Sequence, residues 1–581
     1  MMDQSFLALV RPPHDQQFRP VTPPPGLEPL NDTNNLRLFT TAGTPRQISH
    51  HGTILGRLFA RNTMARVQTL SDDDWNAIAL SGGQTLINTF WGDYVAFLPV
   101  SDDDGEHISI LRAPFGRLGC YWHPTDAGIV LVSHPDLLAK AGFRVPHIDA
   151  PALARHIAQP EIAHSQTCLR DVFSLAGGER LTPLRSGPRI DSLWSPWRFC
   201  SDRPEIGSVE HAGRVLRDVV TTTVAAQTSG FGNLVLMLSG GLDSSVLAAC
   251  LRIADRPFHA LTLVTQAAIG DERTFARMAA QATGAPLTEA FRSLDGVDLL
   301  VSCANRAARP FARSFTQESD RLAALLAEQQ GADAIVDGGC GDNLFFNYLT
   351  LAALVEIWRG HGFGPRFRQA AAAFADLTGS SIASVTARTV YRALTRDNRL
   401  RMPERTSFLS QSARAAVAHL PLHPWLLPPP AIGAGKAAHV SLLMPVQAGA
   451  EQGPPLNGSQ PRLSPLVCQP VIETVLGLPI WCWFAPGRNR AAARAAFEDD
   501  LPSALITRRS KGTPNPFMHS LFEQHRALIR SMLLDGRLAD LGLIDTDALR
   551  TTLDSTTPSR DFTYAQIMEL VDAEAWARSW D

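Results

Sequence analysis

One stretch near the middle of the chain, LVLMLSGGLDSSVLAAC at 234–250, constrains the fold more than any other. Five apolar residues, 234–238, read as a short buried strand. The run Ser239-Gly240-Gly241-Leu242-Asp243-Ser244-Ser245 then turns the chain, and Ser244 opens an apolar helix. A strand that passes through a glycine turn into a helix points unbonded backbone N–H groups and the positive end of the helix dipole at one place, which is an anion site. The two glycines allow positive φ and a close approach of backbone to a phosphate. The hydroxyls of Ser239, Ser244 and Ser245 add donors. Asp243 sets a carboxylate where a phosphate chain would lie, an arrangement that calls for a cation between them. The common phosphate loop GxxxxGK[ST] is excluded, because no lysine follows.

The surroundings repeat the pattern. FHALTLVT at 258–265 reads as a second buried strand, and Asp271-Glu272-Arg273 opens a helix that ends near Gly284. Residues 320–330 read as a helix and 333–336 as a strand leading into Asp337-Gly338-Gly339-Cys340-Gly341-Asp342-Asn343. Apolar strands alternating with helices predict a parallel sheet covered on both faces, with ligands at the carboxyl ends of its strands. SGGLDSS, the end of LTLVT and DGGCGDN then share one rim. Taken alone, Asp342 has a competing reading as a turn carboxylate capping the next helix.

At 581 residues the chain is too long for one core, so at least two domains are expected. Residues 1–35 are Pro-rich and read as an irregular arm. The segment 36–205 is β-rich, with strands expected at 52–58, 89–98, 108–113, 128–133 and 172–182 and helices at 73–80 and 151–158. A third unit runs over 206–581 and opens with an amphipathic helix at 209–227. Within it, 400–460 holds Pro-rich loops and a mobile connection, AGAEQGPPLNGSQPR, and 564–580 reads as an amphipathic helix with Ile567, Leu570, Val571, Ala575 and Trp576 inward.

A net charge of −3 supplies no basic field for nucleic acid. The most apolar late run, 475–484, is interrupted by Pro479 and too short to span a bilayer. The eight cysteines form no CxxC and sit in apolar runs, the pattern of reduced, buried thiols in a cytoplasmic protein. MMDQSFLALVRPPHDQQ has neither a basic start nor a long apolar core, so no signal peptide is expected there.

SGGLDSS resembles the pyrophosphate loop of the ATP pyrophosphatase superfamily, whose members cut ATP between the α and β phosphates and adenylate a carboxylate or carbonyl oxygen. DGGCGDNLFFNY resembles the SGxGxDExFxGY element of asparagine synthetases, and Leu501-Pro502-Ser503-Ala504-Leu505-Ile506-Thr507-Arg508-Arg509-Ser510-Lys511-Gly512 resembles their LP-xx-I-xx-R-xx-KG segment. Upstream, Gly92-Asp93-Tyr94-Val95-Ala96-Phe97, Arg112-Ala113-Pro114-Phe115-Gly116 and Gly177-Gly178-Glu179 resemble strands and turns of that family's glutaminase domain. The resemblance implies an α/β protein: an N-terminal glutaminase-like (Ntn-type) αββα domain, then a doubly wound parallel-sheet ATP pyrophosphatase domain with helical additions. It implies ATP and Mg²⁺, with Asp243 and Asp342 holding the metal. Nucleotide contacts are implied at Leu238, Ser239, Gly240, Gly241, Asp243, Ser244, Ser245, Leu263 and Gly338. Lys511 takes the catalytic role at the α-phosphate, with Arg508 or Arg509 as phosphate helpers.

Two departures stand out. Gly339 occupies the place of a family Glu or Tyr, so this element supplies no general base, and Cys340 replaces a Gly in a packing role. A class II glutaminase needs cysteine as its mature first residue. This chain reads Met1-Met2-Asp3, which predicts an N-terminal domain inert toward glutamine and serving as scaffold or docking unit.

Within the superfamily the chain is similar to lasso-peptide macrolactam cyclases. The carriers are Gly52-Thr53-Ile54-Leu55-Gly56-Arg57-Leu58-Phe59, Thr167-Cys168-Leu169-Arg170, Trp194-Ser195-Pro196-Trp197, Ser464-Pro465-Leu466 and Gln469-Pro470-Val471-Ile472-Glu473. That likeness implies a ribosomal precursor peptide as substrate, with a leader peptidase and a leader-recognition protein as partners. An ammonia-using asparagine synthetase, a β-lactam-synthetase-like enzyme and a non-catalytic peptide-docking homologue are the competing expectations.

Overall fold

The computed structural model describes residues 4–11, 21–102, 105–203, 205–265, 271–398, 402–418, 422–450, 460–509, 512–555 and 563–580. The first half builds two antiparallel sheets of six strands each. They face one another across an apolar layer in which Phe6, Ala8 and Leu38 of one sheet meet Leu55, Phe97 and Ile110 of the other. Helices Asp72–Leu80 and Gln84–Thr89 lie on the outer face of one sheet, where Trp75, Ile78 and Leu86 join Trp91 and Tyr94. Helix Ala150–Ala158 covers the other, with Leu153 beside Leu7 and Val132.

The expectation of an irregular arm over 1–35 is corrected in two places. Phe6–Val10 is a central strand, buried at every residue, between Leu36–Thr40 and Gly128–Val132, and Glu28–Asp32 is an edge strand. FLALV contains none of the prolines that surround it, and a continuous apolar run is the pattern of a strand covered on both faces. The expected strand over 172–182 divides into Phe173–Ser174 and Glu179–Leu184, in different sheets. Strands Leu36–Thr40, Arg46–Ser49, Tyr121–Thr125 and Gly187–Ser192 were not expected.

The second half is organised by a five-stranded parallel sheet. In spatial order its strands are Leu287–Phe291, Phe258–Val264, Leu234–Met237, Ala334–Val336 and Arg462–Leu463. The chain starts in the middle, winds outward to one edge, then returns to the centre and winds the other way. Helices cover both faces. Leu234 and Leu236 pack with Val246 and Leu247 of helix Leu242–Ile253, and Val235, Leu261 and Ile335 pack with Ala323, Leu326 and Ala327 of helix Gln317–Gln329. The order reverses between Leu234–Met237 and Ala334–Val336, and a crevice opens there at the carboxyl ends. The connection expected over 448–462 falls largely on 451–459, outside the described residues.

The last helix, Thr563–Arg578, departs from the amphipathic expectation. It is buried on all sides from Leu570 to Ala577, Asp572 and Glu574 included. Those carboxylates have internal partners: Ser314 N donates to Asp572 (2.9 Å), and Arg537 N and Leu538 N donate to the two oxygens of Glu574 (2.9 and 2.8 Å).

The two halves meet at another buried acid. Glu473, on helix Gln469–Gly477, receives the Arg61 guanidinium at 2.6 and 2.9 Å, the Trp194 indole N–H at 2.8 Å and the Gln469 amide at 2.8 Å. Glu473→Ala strands a largely desolvated guanidinium and an indole donor, and should destabilise the protein by about 3 kcal/mol, read as a lower midpoint of thermal unfolding. A second expectation concerns acid. Burial pushes His156, His164 and His439 down to about 3 and His423 to about 4. The unfolded chain therefore binds more protons than the native one below the ordinary value of 6.5. Asp572, raised to about 6 by burial, and Glu356, also raised by burial, act in the opposite sense but are two groups against four. Stability should fall as pH is lowered from 6.5 toward 4, measurable as a shift of the urea midpoint.

Candidate active site

The crevice is lined first by the loop after Leu234–Met237. Gly240 has φ +71°, and a Cβ there would lie 2.5 Å from Ala276 N and 2.6 Å from backbone of Phe275. The turn thus presses against helix Arg273–Thr283 at a distance only glycine tolerates. Gly241 caps helix Leu242–Ile253 with no side chain bonded to its first turn, which leaves that N-terminus open to a ligand. Ser239 and Ser244 shape the loop: Ser239 N donates to Ser244 Oγ (3.2 Å) and Gly241 N to Ser239 Oγ (3.2 Å).

The second wall follows strand Ala334–Val336. Gly338 comes so close that a Cβ would sit 3.0 Å from Ser244 N, and at Gly341 a Cβ would overlap the Asp243 carboxylate. The two loops are packed backbone to backbone, and Asp243 and Asp342 converge. The Arg490 guanidinium bridges them, with Nη1 2.7 Å from Asp342 Oδ1 and 3.4 Å from Asp243 Oδ1. Asn347 Nδ2 donates to the same Asp342 oxygen at 3.0 Å. Arg490 is 7% exposed, and its backbone takes φ +52°, so its placement is held by the surrounding structure rather than by local preference.

A cavity of about 250 Å³ lies over these groups, lined among others by Ser239, Gly241, Asp243, Ser244, Gly338 and Arg508. Arg490 and Arg494 complete its cationic side. Arg494 braces the back wall: it donates to Asn489 O (2.9 Å), Arg508 O (3.0 Å) and Ile506 O, and burial beside Arg490 lowers it to about 10. Arg508 ties its segment to the loop. It donates to Gly240 O (2.9 Å) and Glu272 (2.7 Å) and stacks on the Phe275 ring at 3.9 Å. Glu272 also accepts Gly512 N at 3.0 Å, so one carboxylate holds both ends of the 508–512 segment. Three guanidinium groups, an uncapped helix N-terminus and two acids describe a site for a polyanion carried with a divalent cation. Two carboxylates able to share one cation fit Mg²⁺, which takes few protein ligands and completes its shell with phosphate and water. Among the described residues no group of three or more His, Cys, Asp or Glu side chains is placed to hold a metal ion.

The sequence-predicted residues divide accordingly. Ser239, Gly241, Asp243, Ser244 and Gly338 line the cavity, and Asp342 reaches it through Arg490. Gly240 acts from beneath as the contact to the neighbouring helix. Leu238, Ser245 and Leu263 do not line it; Leu238 and Ser245 are fully buried, and Ser245 Oγ points into the interior. A helix advances about 100° per residue, so Ser244 and Ser245 cannot both face the rim. Of the paired phosphate helpers, Arg508 lines the cavity, whereas Arg509 turns outward to Asp376 (3.0 Å). Lys511 lies outside the described residues. Gly339 N donates to Asp337 (2.9 Å), and Cys340, at φ +63°, has a thiol pushed up to about 12 by burial. Arg490, Arg494 and Glu272 were missed as site residues; spacing to the LP-xx-I segment was the only signal for the arginines.

The fold is that of an α/β protein with a candidate anion site at the switch point of its parallel sheet. The family model for asparagine synthase matches residues 215–436 and 462–578, more than half of the chain, and the chain belongs to that family. It is thereby an ATP-dependent ligase that forms carbon–nitrogen bonds with release of AMP and pyrophosphate. No curated protein matches the chain. Among solved structures, it is similar to an allosteric regulatory enzyme of purine biosynthesis at 11% identity and TM-score 0.18, over 44% of this chain and 66% of that one. It is also similar to the glutamine phosphoribosylpyrophosphate amidotransferase from B. subtilis complexed with ADP and GMP, at 10% identity and TM-score 0.16, over 51% and 72%. No helix among the described residues is long and apolar enough to cross a membrane.

Gly240→Ala should weaken ATP·Mg²⁺ binding at least about tenfold in isothermal titration, because the loop must lift off helix Arg273–Thr283. Arg509→Ala, outside the cavity, should leave affinity within about twofold.

Proposed function

We propose that this ligase adenylates the side-chain carboxylate of an Asp or Glu in a precursor peptide and closes a macrolactam with the peptide's own N-terminal amine. The convergence of Asp243 and Asp342 beneath Arg490, beside the open end of helix Leu242–Ile253, carries the adenylation part of the reading. The macrolactam part rests on the sequence segments shared with lasso-peptide cyclases, one of which supplies Glu473 and Gln469 at the junction of the halves.

The ATP phosphates lie along the loop amides, with the Ser239 and Ser244 hydroxyls and Arg508 as donors. Asp243 and Asp342 would hold Mg²⁺, which neutralises phosphate charge when bound. The peptide carboxylate attacks the α-phosphorus, the bond to the bridging oxygen breaks, and pyrophosphate leaves with its charge met by the helix N-terminus and the arginine side of the cavity. Lys511 stabilises the α-phosphate and the adenylated carbonyl. The N-terminal amine then attacks that carbonyl, giving an isopeptide and AMP. Holding the peptide so that amine and carbonyl meet is an orientation cost met by contacts remote from the chemistry.

The N-terminal unit is assigned as a glutaminase-like αββα scaffold and docking module. Cys120, the thiol nearest its start in sequence, is completely buried and pushed up to about 12, unsuited to act as a nucleophile. A leader peptidase and a leader-recognition protein complete the assignment as partners in the cytoplasm. The second reading, ammonia-dependent asparagine synthesis, shares every phosphate contact and differs only in acyl donor and amine.

AMP and pyrophosphate release decides between them. One reaction contains a candidate precursor peptide with its processing partners, the other aspartate with ammonium or glutamine. Release with peptide alone, and a product one water lighter, is the expected result; release with free aspartate supports asparagine synthesis. Asp243→Ala and Lys511→Ala should each reduce AMP formation to background with unchanged circular dichroism, and wild-type turnover in either would overturn the site assignment.

A further inference from the structure

A cavity of about 990 Å³ lies behind the second acid of the site, and the phosphate chemistry does not use it. It is at the upper end of the roughly 300–1,000 Å³ that drug-sized ligands fill, four times the volume over the phosphate loop and far more than a free amino acid occupies. Its wall leads directly to Asp342 from two sides. Asn347 donates to Asp342, and the next residue, Tyr348, lines the chamber. Asn343, adjacent to Asp342, donates to Leu442 O at 2.9 Å, and Leu442 also lines the chamber. One short helix, Gly341–Leu344, therefore separates the phosphate side from the chamber side.

The charges in this wall are unbalanced. Arg405 is engaged by Glu161, which reaches in from the N-terminal half, and by Glu569. Arg392, half-buried on helix Ile382–Thr395, and Arg396 at the end of that helix both line the chamber and make no ion pair among the described residues. The groups acting on Arg392 are Arg396, which repels it, and the Tyr348 phenol; Asp397 is the remaining carboxylate of the wall. Two like charges four residues apart destabilise a helix end unless an anion lies between them. Beside them Tyr348 and Leu349 stay exposed at 45% and 39%, giving an apolar surface at the rim.

We propose that this chamber seats the acyl-donor peptide, with Arg392 and Arg396 clamping a carboxylate other than the one that reacts. The proposal rests on the peptide-ligase reading above. It specifies an acidic peptide rather than a free amino acid, and it places the specificity-determining charge outside the phosphate site. A guanidinium pair closing on a carboxylate fixes the chain on one side of Gly341–Leu344 while a second acid reaches the other side.

The test uses a fluorescein-labelled synthetic peptide with an N-terminal Gly and two internal Glu, together with versions in which either or both Glu are Gln. Anisotropy without ATP is measured on the full chain as wild type, Arg392→Gln/Arg396→Gln and Arg392→Lys/Arg396→Lys. Replacing both acids should weaken binding to wild type about tenfold, and this difference should vanish in the Gln variant and return in part in the Lys variant. The Gln variant should raise KM for peptide by a similar factor while KM for ATP stays within about twofold. An equal penalty for lost acids in wild type and Gln variant, or no binding of the two-Glu peptide by wild type, overturns the proposal. Failure of the ligase reading looks different: wild type then releases no AMP with any peptide, whatever the binding shows.

Discussion

Two loops from strands far apart in sequence are pressed together so closely that the second has no ready room for a Cβ at either contact point. Gly338 lies against the backbone of Ser244 and Gly341 against the carboxylate of Asp243. The position of Asp342 follows from this contact, since it is the residue after Gly341. Two carboxylates brought together in a half-buried crevice repel unless a cation lies between them. Among the described residues Arg490 bridges them, held in a left-handed backbone conformation. The surrounding basic residues are arranged around the same point. Arg494 supports the segment from which Arg490 and Arg508 approach, and Arg508 fastens that segment to the loop through Gly240 O and Glu272.

The phosphate side and the N-terminal sheets are linked through the edge of the parallel sheet. Arg462, on its last strand, pairs with Asp320 at 2.6 Å and Asp337 at 3.1 Å. Its carbonyl accepts the Arg117 guanidinium at 2.5 Å from the N-terminal half. With Glu473 binding Arg61 and Trp194 nearby in sequence, the two halves are registered by directional, largely desolvated polar contacts set in an apolar surface. Such contacts fix orientation more than they add stability, because each charged group gives up hydration to form them.

The phosphate loop was legible because strand, turn and helix are contiguous, and each part carries its own signal: apolar run, glycines, acid. The parallel sheet was legible for the same reason, strand by strand. What stayed hidden depends on distance or on helical phase. Arg490 and Arg494 stand in RNRAAAR, a run that reads as the polar face of a helix. The contacts of Arg490 lie some 150 to 250 residues away, at Asp342 and Asp243, where no local pattern reports them, and Arg494 braces the nearby Asn489, Ile506 and Arg508 carbonyls. Ser245 looked like a phosphate donor because composition ignores phase; one step along the helix turns it into the core. Strand Phe6–Val10 was hidden by neighbouring prolines that do not enter it. The closing helix was read from a one-sided pattern, yet its acids are buried because backbone N–H groups elsewhere need them.

The buried helix Thr563–Arg578 has a bearing on how the chain reaches this state. Trp576 belongs to the same apolar cluster as Leu7 and Leu9, so the first strand and the last helix share one interior. Helix Ala150–Ala158 covers the outer face of that sheet, and helix Thr563–Arg578 packs on Ala150–Ala158 in turn. During synthesis the shared interior stays incomplete until the last helix has been made, so it acts as a closing piece of the cluster rather than an appendage. Removing it would uncover Ala150–Ala158 and its neighbours, a defect far in sequence from the cut.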